Sequence, residues 1–222
     1  MSLMTKSKLM VFDLDGTLVD SVPDIAAAVN RMLAARGLPP LTSDAVAAMV
    51  GDGLKPLIAR AFAAVGATPD AAAGDEYLAD YESNVAVETR LFDGIPAALH
   101  ALEQAGWRLA VCTNKPERAA RLLLDALSIA DRFSAIGGGD SFAAHKPDPM
   151  HLQGTIAAAG GDARFTLMVG DHTNDVSAAT GAGVRAVFAG WGYGRPGMEE
   201  GAVAIAPRPG DLPGIAARLL NI

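Results

Sequence analysis

"FTLMVGDHTNDVSAATGAGVRAVF", residues 165–188, holds two apolar runs separated by an acidic cluster and a small-residue segment. Residues 165–169 read as a buried strand, 174–180 as a helix and 184–188 as a second strand. Two short strands joined through a helix must lie parallel, with the helix crossing over one face of the sheet.

The same order continues upstream. Residues 149–159 read as a helix opened by Pro149, 133–136 as a short strand and 117–127 as a helix. Residues 108–112 form a strand and 96–104 a helix with Gly106 near its C-cap, while 9–13 supply a further strand. At least five strands in this rhythm predict an α/β protein, a Rossmann-like doubly wound parallel sheet whose ligands sit beyond the carboxyl ends of the strands.

Residues 21–88 depart from that rhythm. IAAAVNRMLAARG, DAVAAMVG, LKPLIARAFAAVG and AAAGDEYLADYESNVA all carry helical spacing, with no convincing strand between them. The expected organisation is therefore an α/β core from 1–20 and 89–222, with an inserted all-helical cap domain over 21–88. The insert leaves just after the first strand and returns near Arg90, which sets it over the mouth of the site.

Composition narrows the partners. Half of the 222 residues are apolar and 5% aromatic, so small side chains let helices pack closely on the sheet. The net charge of −7, from 25 acidic and 18 basic residues, comes without a Lys/Arg cluster that would follow a phosphate backbone, and no nucleic-acid partner is expected. No window approaches about 18 uninterrupted apolar residues and the start lacks a secretory pattern, so neither membrane nor export segment is expected. The single cysteine, Cys112 in LAVCTN, reads as strand interior and fits a reducing cytoplasm. Met1-Ser2-Leu3 reads as an expression remnant ahead of a native start at Met4.

The strand ends carry the chemistry. In MVFDLDGTLVD, residues 10–20, Asp13 and Asp15 stand two apart, so an extended chain would put both on one face, and Gly16 lets the backbone turn. Neighbouring carboxylates repel unless a cation, a proton or hydrogen bonds compensate, and a hard cation such as Mg²⁺ is one answer. An acidic turn in which Asp15 and Thr17 satisfy loop amides is the other. Thr113-Asn114 follows LAVC, Lys146-Pro147 follows the third strand after a loop, and GDHTND, residues 170–175, follows LMV. Asp, Thr/Asn, Lys and Asp at four strand ends suit a metal-bound phosphate, because a carboxylate approaching a phosphoryl dianion needs positive charge on the oxygens.

DLDGT at 13–17, TN at 113–114, KPDP at 146–149 and GDHTND at 170–175 together resemble the signature set of the haloacid dehalogenase superfamily, in its order. The insert after the first motif resembles that family's helical cap of the first type. The resemblance implies that Asp13 is the nucleophile and that Asp15 protonates the leaving oxygen and later activates water. It implies Mg²⁺ held by Asp13, the Asp15 backbone carbonyl and Asp171, with Asp175 assisting, and the phosphoryl group bound by Thr113 and Lys146. Aspartate at 15 sets the chain apart from the family's dehalogenases and phosphonatases, and Lys55 reads as an exposed helical lysine.

A narrower resemblance joins MVGDGLKPLIARAF at 49–62 and WGYG at 191–194 to phosphoglycolate phosphatases. It implies that the backbone at Gly51 and Gly53 approaches a small substrate; an ordinary helix-breaking turn is the alternative. Trp191 and Tyr193 read as packing residues. His172 stands where many relatives have a small hydroxyl residue. Among Lys115, Arg60 and Arg195, Lys115 is the first choice for contacting a substrate anion together with Asn114, because it adjoins Thr113-Asn114.

The expected activity is Mg²⁺-dependent hydrolysis of a small phosphorylated metabolite through an aspartyl-phosphate, with 2-phosphoglycolate foremost, by a monomer or homodimer. A pyrophosphatase, a sugar-phosphate or nucleotide phosphatase and a β-phosphoglucomutase share the same motifs. A phosphoaspartate receiver-like binding module is the rival from outside the enzymes.

Overall fold

The computed structural model describes residues 7–220, so the expected remnant at Met1-Ser2-Leu3 lies outside the described residues. The chain opens with β1 (Lys8–Phe12) and the two-residue β2 (Val19–Asp20). Four helices follow without an intervening strand: α1 (Val22–Ala34), α2 (Ser43–Ala47), α3 (Leu54–Ala64) and α4 (Ala73–Ser83). After β3 (Arg90–Leu91), helix and strand alternate through α5 (Ile95–Gln104), β4 (Trp107–Cys112), α6 (Glu117–Ala126), β5 (Phe133–Gly137), α7 (Pro149–Ala158), β6 (Thr166–Gly170), α8 (Thr173–Gly181) and β7 (Arg185–Ala189). β8 (Ala204–Ala206) and α9 (Leu212–Leu219) close the described chain.

The main sheet has six strands in the order β5-β4-β1-β6-β7-β8, and every pairing in it is parallel. Strand alternation divides its two faces cleanly. Met10, Phe12, Leu109, Val111, Leu167 and Val169 enter one apolar core, whereas Leu9, Val11, Ala110, Cys112 and Met168 enter the other. With both faces covered by helices, the strands read as continuous apolar runs, and the expected α/β class is observed. The strand order reverses at β1, between β4 and β6, and this opens a crevice beyond its carboxyl end. No helix among the described residues is long and apolar enough to cross a membrane.

Two details refine the sequence reading. β1 stops at Phe12, so strand pleating does not bring Asp13 and Asp15 together. A tight turn does, in which the Leu14 carbonyl accepts from the amides of Thr17, Leu18 and Val19 while Gly16 takes φ +86°. β2 and β3 pair antiparallel where the helical segment leaves and returns. Nearby, the buried Asp24 carboxylate accepts from the Thr89 amide at 2.8 Å and the Thr89 hydroxyl at 2.7 Å, pinning the returning chain to α1.

Candidate active site

Asp13 emerges from β1 with its amide bonded to the Val169 carbonyl of β6 at 2.8 Å, which sets it in the crevice. Asp171 follows β6 directly, and Asp175 lies in the first turn of α8. One oxygen from each of these three buried carboxylates lies within 4.8 Å of the others. Lys146 reaches them from the loop after β5, its Nζ 2.8 Å from Asp13 Oδ1 and 2.6 Å from Asp175 Oδ1. Burial pulls the Lys146 ammonium down, but the charges of Asp13 and Asp175 outweigh it and leave its pKa raised.

The acidic side of the cluster is strained electrostatically. Burial, then the charges of Asp13 and Asp175, push Asp171 up to about 8, although it accepts from Tyr193 N at 2.7 Å and the Thr17 hydroxyl at 3.1 Å. Burial likewise raises Asp175, with Lys146 opposing. Three desolvated oxygen-donor carboxylates, two of them sharing one ammonium, fit a hard divalent cation. Local sequence fixes this arrangement. Asp175 Oδ2 accepts from the His172 amide at 3.0 Å, and His172 Nδ1 accepts from the Asn174 amide at 3.2 Å, so the pair closes a capping box at the start of α8. The hydrogen bonding beside Asp171 is thereby met by an imidazole.

Residues 113–115 leave β4 at the adjacent strand end. The Thr113 amide bonds to Gly137 O at 2.9 Å, its hydroxyl accepts from the Lys115 amide at 3.2 Å, and its side chain lines the cavity. Asn114 Nδ2 donates to Lys146 O at 2.8 Å and Gly51 O at 2.9 Å, joining two strand-end loops to the helical segment. Lys115, expected to meet a substrate anion, lines the cavity and pairs with Asp15, its Nζ 2.9 and 3.0 Å from the two carboxylate oxygens. Ser21 Oγ donates to the same carboxylate at 2.6 Å.

Gly51 and Gly53 take φ +119° and +90° between α2 and α3. A Cβ on Gly51 would lie 2.9 Å from His172 Cδ2, and one on Gly53 would lie 3.1 Å from Asn114 O, so glycine permits the loop to seat against the strand ends. Asn174 Nδ2 secures it, donating to Asp52 Oδ1 at 2.7 Å and Gly51 O at 3.3 Å. Sequence reasoning missed the roles of Ser21 and Asn174: Asn174 meets Asp52 across 122 positions, and Ser21, only six positions after Asp15, meets it through a turn that carries no side-chain pattern.

The remaining candidates divide. Arg60 pairs with Asp52 at 2.5 Å, Lys55 is exposed on α3, and Arg195 is exposed at the rim of a cavity shared with Asp13, Asp171 and His172. Trp191 Nε1 donates to Thr17 O at 2.9 Å. The Tyr193 hydroxyl donates to Asp20 Oδ1 at 2.7 Å and accepts from the Ser21 amide at 2.8 Å, so both aromatics brace the site as packing residues. Asp13 and Asp15 also line a smaller cavity of about 50 Å³, walled by the Gly51–Gly53 loop, α3 and α4.

Comparison with known proteins accords with this geometry. A curated phosphoglycolate phosphatase from Agrobacterium fabrum (strain C58) is 44% identical over 191 residues, covering 84% of this chain and 82% of the relative. The crystal structure of a "predicted phosphoglycolate phosphatase" from Haemophilus somnus 129pt superposes with a TM-score of 0.87 at 31% identity, covering 96% of this chain and 99% of that one. CbbY from Rhodobacter sphaeroides, solved in complex with phosphate, superposes with a TM-score of 0.80 at 26% identity, covering 93% and 96% of the two chains. Residues 10–189 match the haloacid dehalogenase-like hydrolase family, and on this sequence, fold and site the chain belongs to it.

Proposed function

We propose that the protein is a Mg²⁺-dependent phosphomonoesterase acting on 2-phosphoglycolate, to give glycolate and phosphate. The carrying observation is the convergence of Asp13, Asp171, Asp175 and Lys146 at one crevice, with ion pairs of 2.8 and 2.6 Å at its centre. The Agrobacterium fabrum relative, named phosphoglycolate phosphatase, supports the choice of ester.

In this reading Asp13, Asp171 and the Asp15 backbone carbonyl would hold Mg²⁺, with Asp175 orienting the site, and the ion would supply positive charge against the phosphoryl oxygens. An oxygen of Asp13 attacks phosphorus, and the bond from phosphorus to the ester oxygen breaks. Asp15 gives that oxygen its proton, then takes one from the water that cleaves the aspartyl-phosphate, which regenerates Asp13. Lys146 and the Thr113 hydroxyl hold the phosphoryl oxygens. Residues 21–88 act as a cap that excludes water, seated through Asn114, Asn174 and the glycine loop.

The buried Cys112 fits a cytoplasmic enzyme, working as a monomer or homodimer. A phosphate-release panel of 2-phosphoglycolate, pyrophosphate, mononucleotides and hexose phosphates tests the assignment. The highest kcat/KM is expected for 2-phosphoglycolate with Mg²⁺ present, and no release from any ester would overturn it.

A further inference from the structure

One wall of the smaller cavity is left unused by the chemistry above. Tyr81 on α4 is 2% exposed and lines the cavity, yet its hydroxyl has no hydrogen-bond partner among the described residues. A buried hydroxyl without a partner is rare, and at a cavity wall it marks where a ligand atom belongs. Tyr81 stacks on Tyr77 at a centroid separation of 6.0 Å, so its ring is held in place.

Lys115 is the only cationic side chain lining that cavity among the described residues. Its Nζ lies 4.4 Å from the Tyr81 ring centroid, so its charge acts on the Tyr81 hydroxyl from the same wall of the cavity. Asp15 receives two contacts from this ammonium, at 2.9 and 3.0 Å, and a third proton remains for a ligand. α3 adds to the same wall. Gly53 and Leu54 line the cavity at the start of this 11-residue helix, whose first turn has no side-chain cap.

We infer that Tyr81 Oη, Lys115 Nζ and the Leu54 and Lys55 amides at the start of α3 form a subsite for a carboxylate on the leaving group. Residues carrying these three kinds of donor border the same cavity. Asp15, beside this subsite, faces the ester oxygen, so a carboxylate one carbon beyond that oxygen meets the donors while phosphorus stays over Asp13. Tyr81 is thus a specificity-determining residue. This inference rests on the phosphomonoesterase reading.

The test compares Tyr81→Phe with the wild-type enzyme on 2-phosphoglycolate and on ethyl phosphate, which has a neutral leaving group of the same length. Glycolate inhibition is measured alongside, and the thermal midpoint checks folding. The preference for the anionic ester should fall by about tenfold or more, mainly through KM, and glycolate should inhibit more weakly by a similar factor. An unchanged preference together with unchanged glycolate inhibition, in a wild type that hydrolyses phosphoglycolate, overturns the subsite alone. A wild type that hydrolyses neither ester overturns the phosphatase reading itself.

Discussion

Replacing Lys146 with methionine removes the one ammonium at the carboxylate cluster while nearly preserving side-chain length. Lys146 is 2% exposed and pairs with Asp13 and Asp175 at 2.8 and 2.6 Å, so its loss leaves Asp13, Asp171 and Asp175 buried together without that charge. Deleting one partner of a buried ion pair typically costs about 3–5 kcal/mol. Proton uptake by the carboxylates moderates the cost, so a deficit of about 3 kcal/mol is expected at neutral pH in chelator. Mg²⁺ should bind the more negative cluster tighter, and each tenfold gain in its affinity restores about 1.4 kcal/mol at saturating metal. Urea unfolding of both proteins, in EDTA and in Mg²⁺, reads both quantities. A deficit under about 1 kcal/mol in EDTA, or the same deficit in both buffers, would refute the reasoning.

Two further outcomes follow from individual contacts. Gly51→Ala forces a side chain at φ +119° and 2.9 Å from His172 Cδ2, whereas Gly66→Ala meets only an unfavourable φ of +71° with nothing within 4 Å. Both should lose about 1–3 kcal/mol, but kcat/KM for phosphate release should drop about tenfold only in Gly51→Ala; equal losses would show that the loop's seating against His172 has no part in turnover. His151 is fully buried and accepts from the Lys146 amide at 3.1 Å; burial, then the Lys146 charge, hold it down to about 4 from 6.5. Its folded pKa lies below its unfolded value, so this stabilisation is complete above about pH 6.5 and is lost as pH falls toward 4, on the order of 3 kcal/mol. Urea midpoints between about pH 4.5 and 6.5 should depend less steeply on pH in His151→Gln than in the wild type, and identical slopes would dismiss His151 as the cause.

Much of the sheet was legible because β1, β4, β6 and β7 are buried on both faces and therefore appear as short apolar runs. β8 gave no such signal: it has three residues, and Ile205 at its centre is 52% exposed. β2 and β3, two residues each, are held by the return of the helical segment rather than by their own pattern. At the site, Asp13, Lys146, Asp171 and Asp175 could be named because strand ends converge in a parallel sheet. The Asp15 partner of Lys115 and the surroundings of Tyr81 could not. A helical period tells that Tyr81 is buried without telling against what, and the Lys115–Asp15 pair spans 100 positions of sequence. Asp15 itself was grouped with Asp13 by strand alternation, whereas the turn after Phe12 is what aims it.

The central claim is that Asp13 carries the phosphoryl group between ester and water. Rapid acid quenching of the enzyme during turnover of 2-phosphoglycolate with Mg²⁺, followed by peptide mapping, should find a phosphoryl mass on the peptide containing Asp13, and none in Asp13→Asn. Steady phosphate release with Asp13 unmodified, or turnover retained in Asp13→Asn, would contradict it.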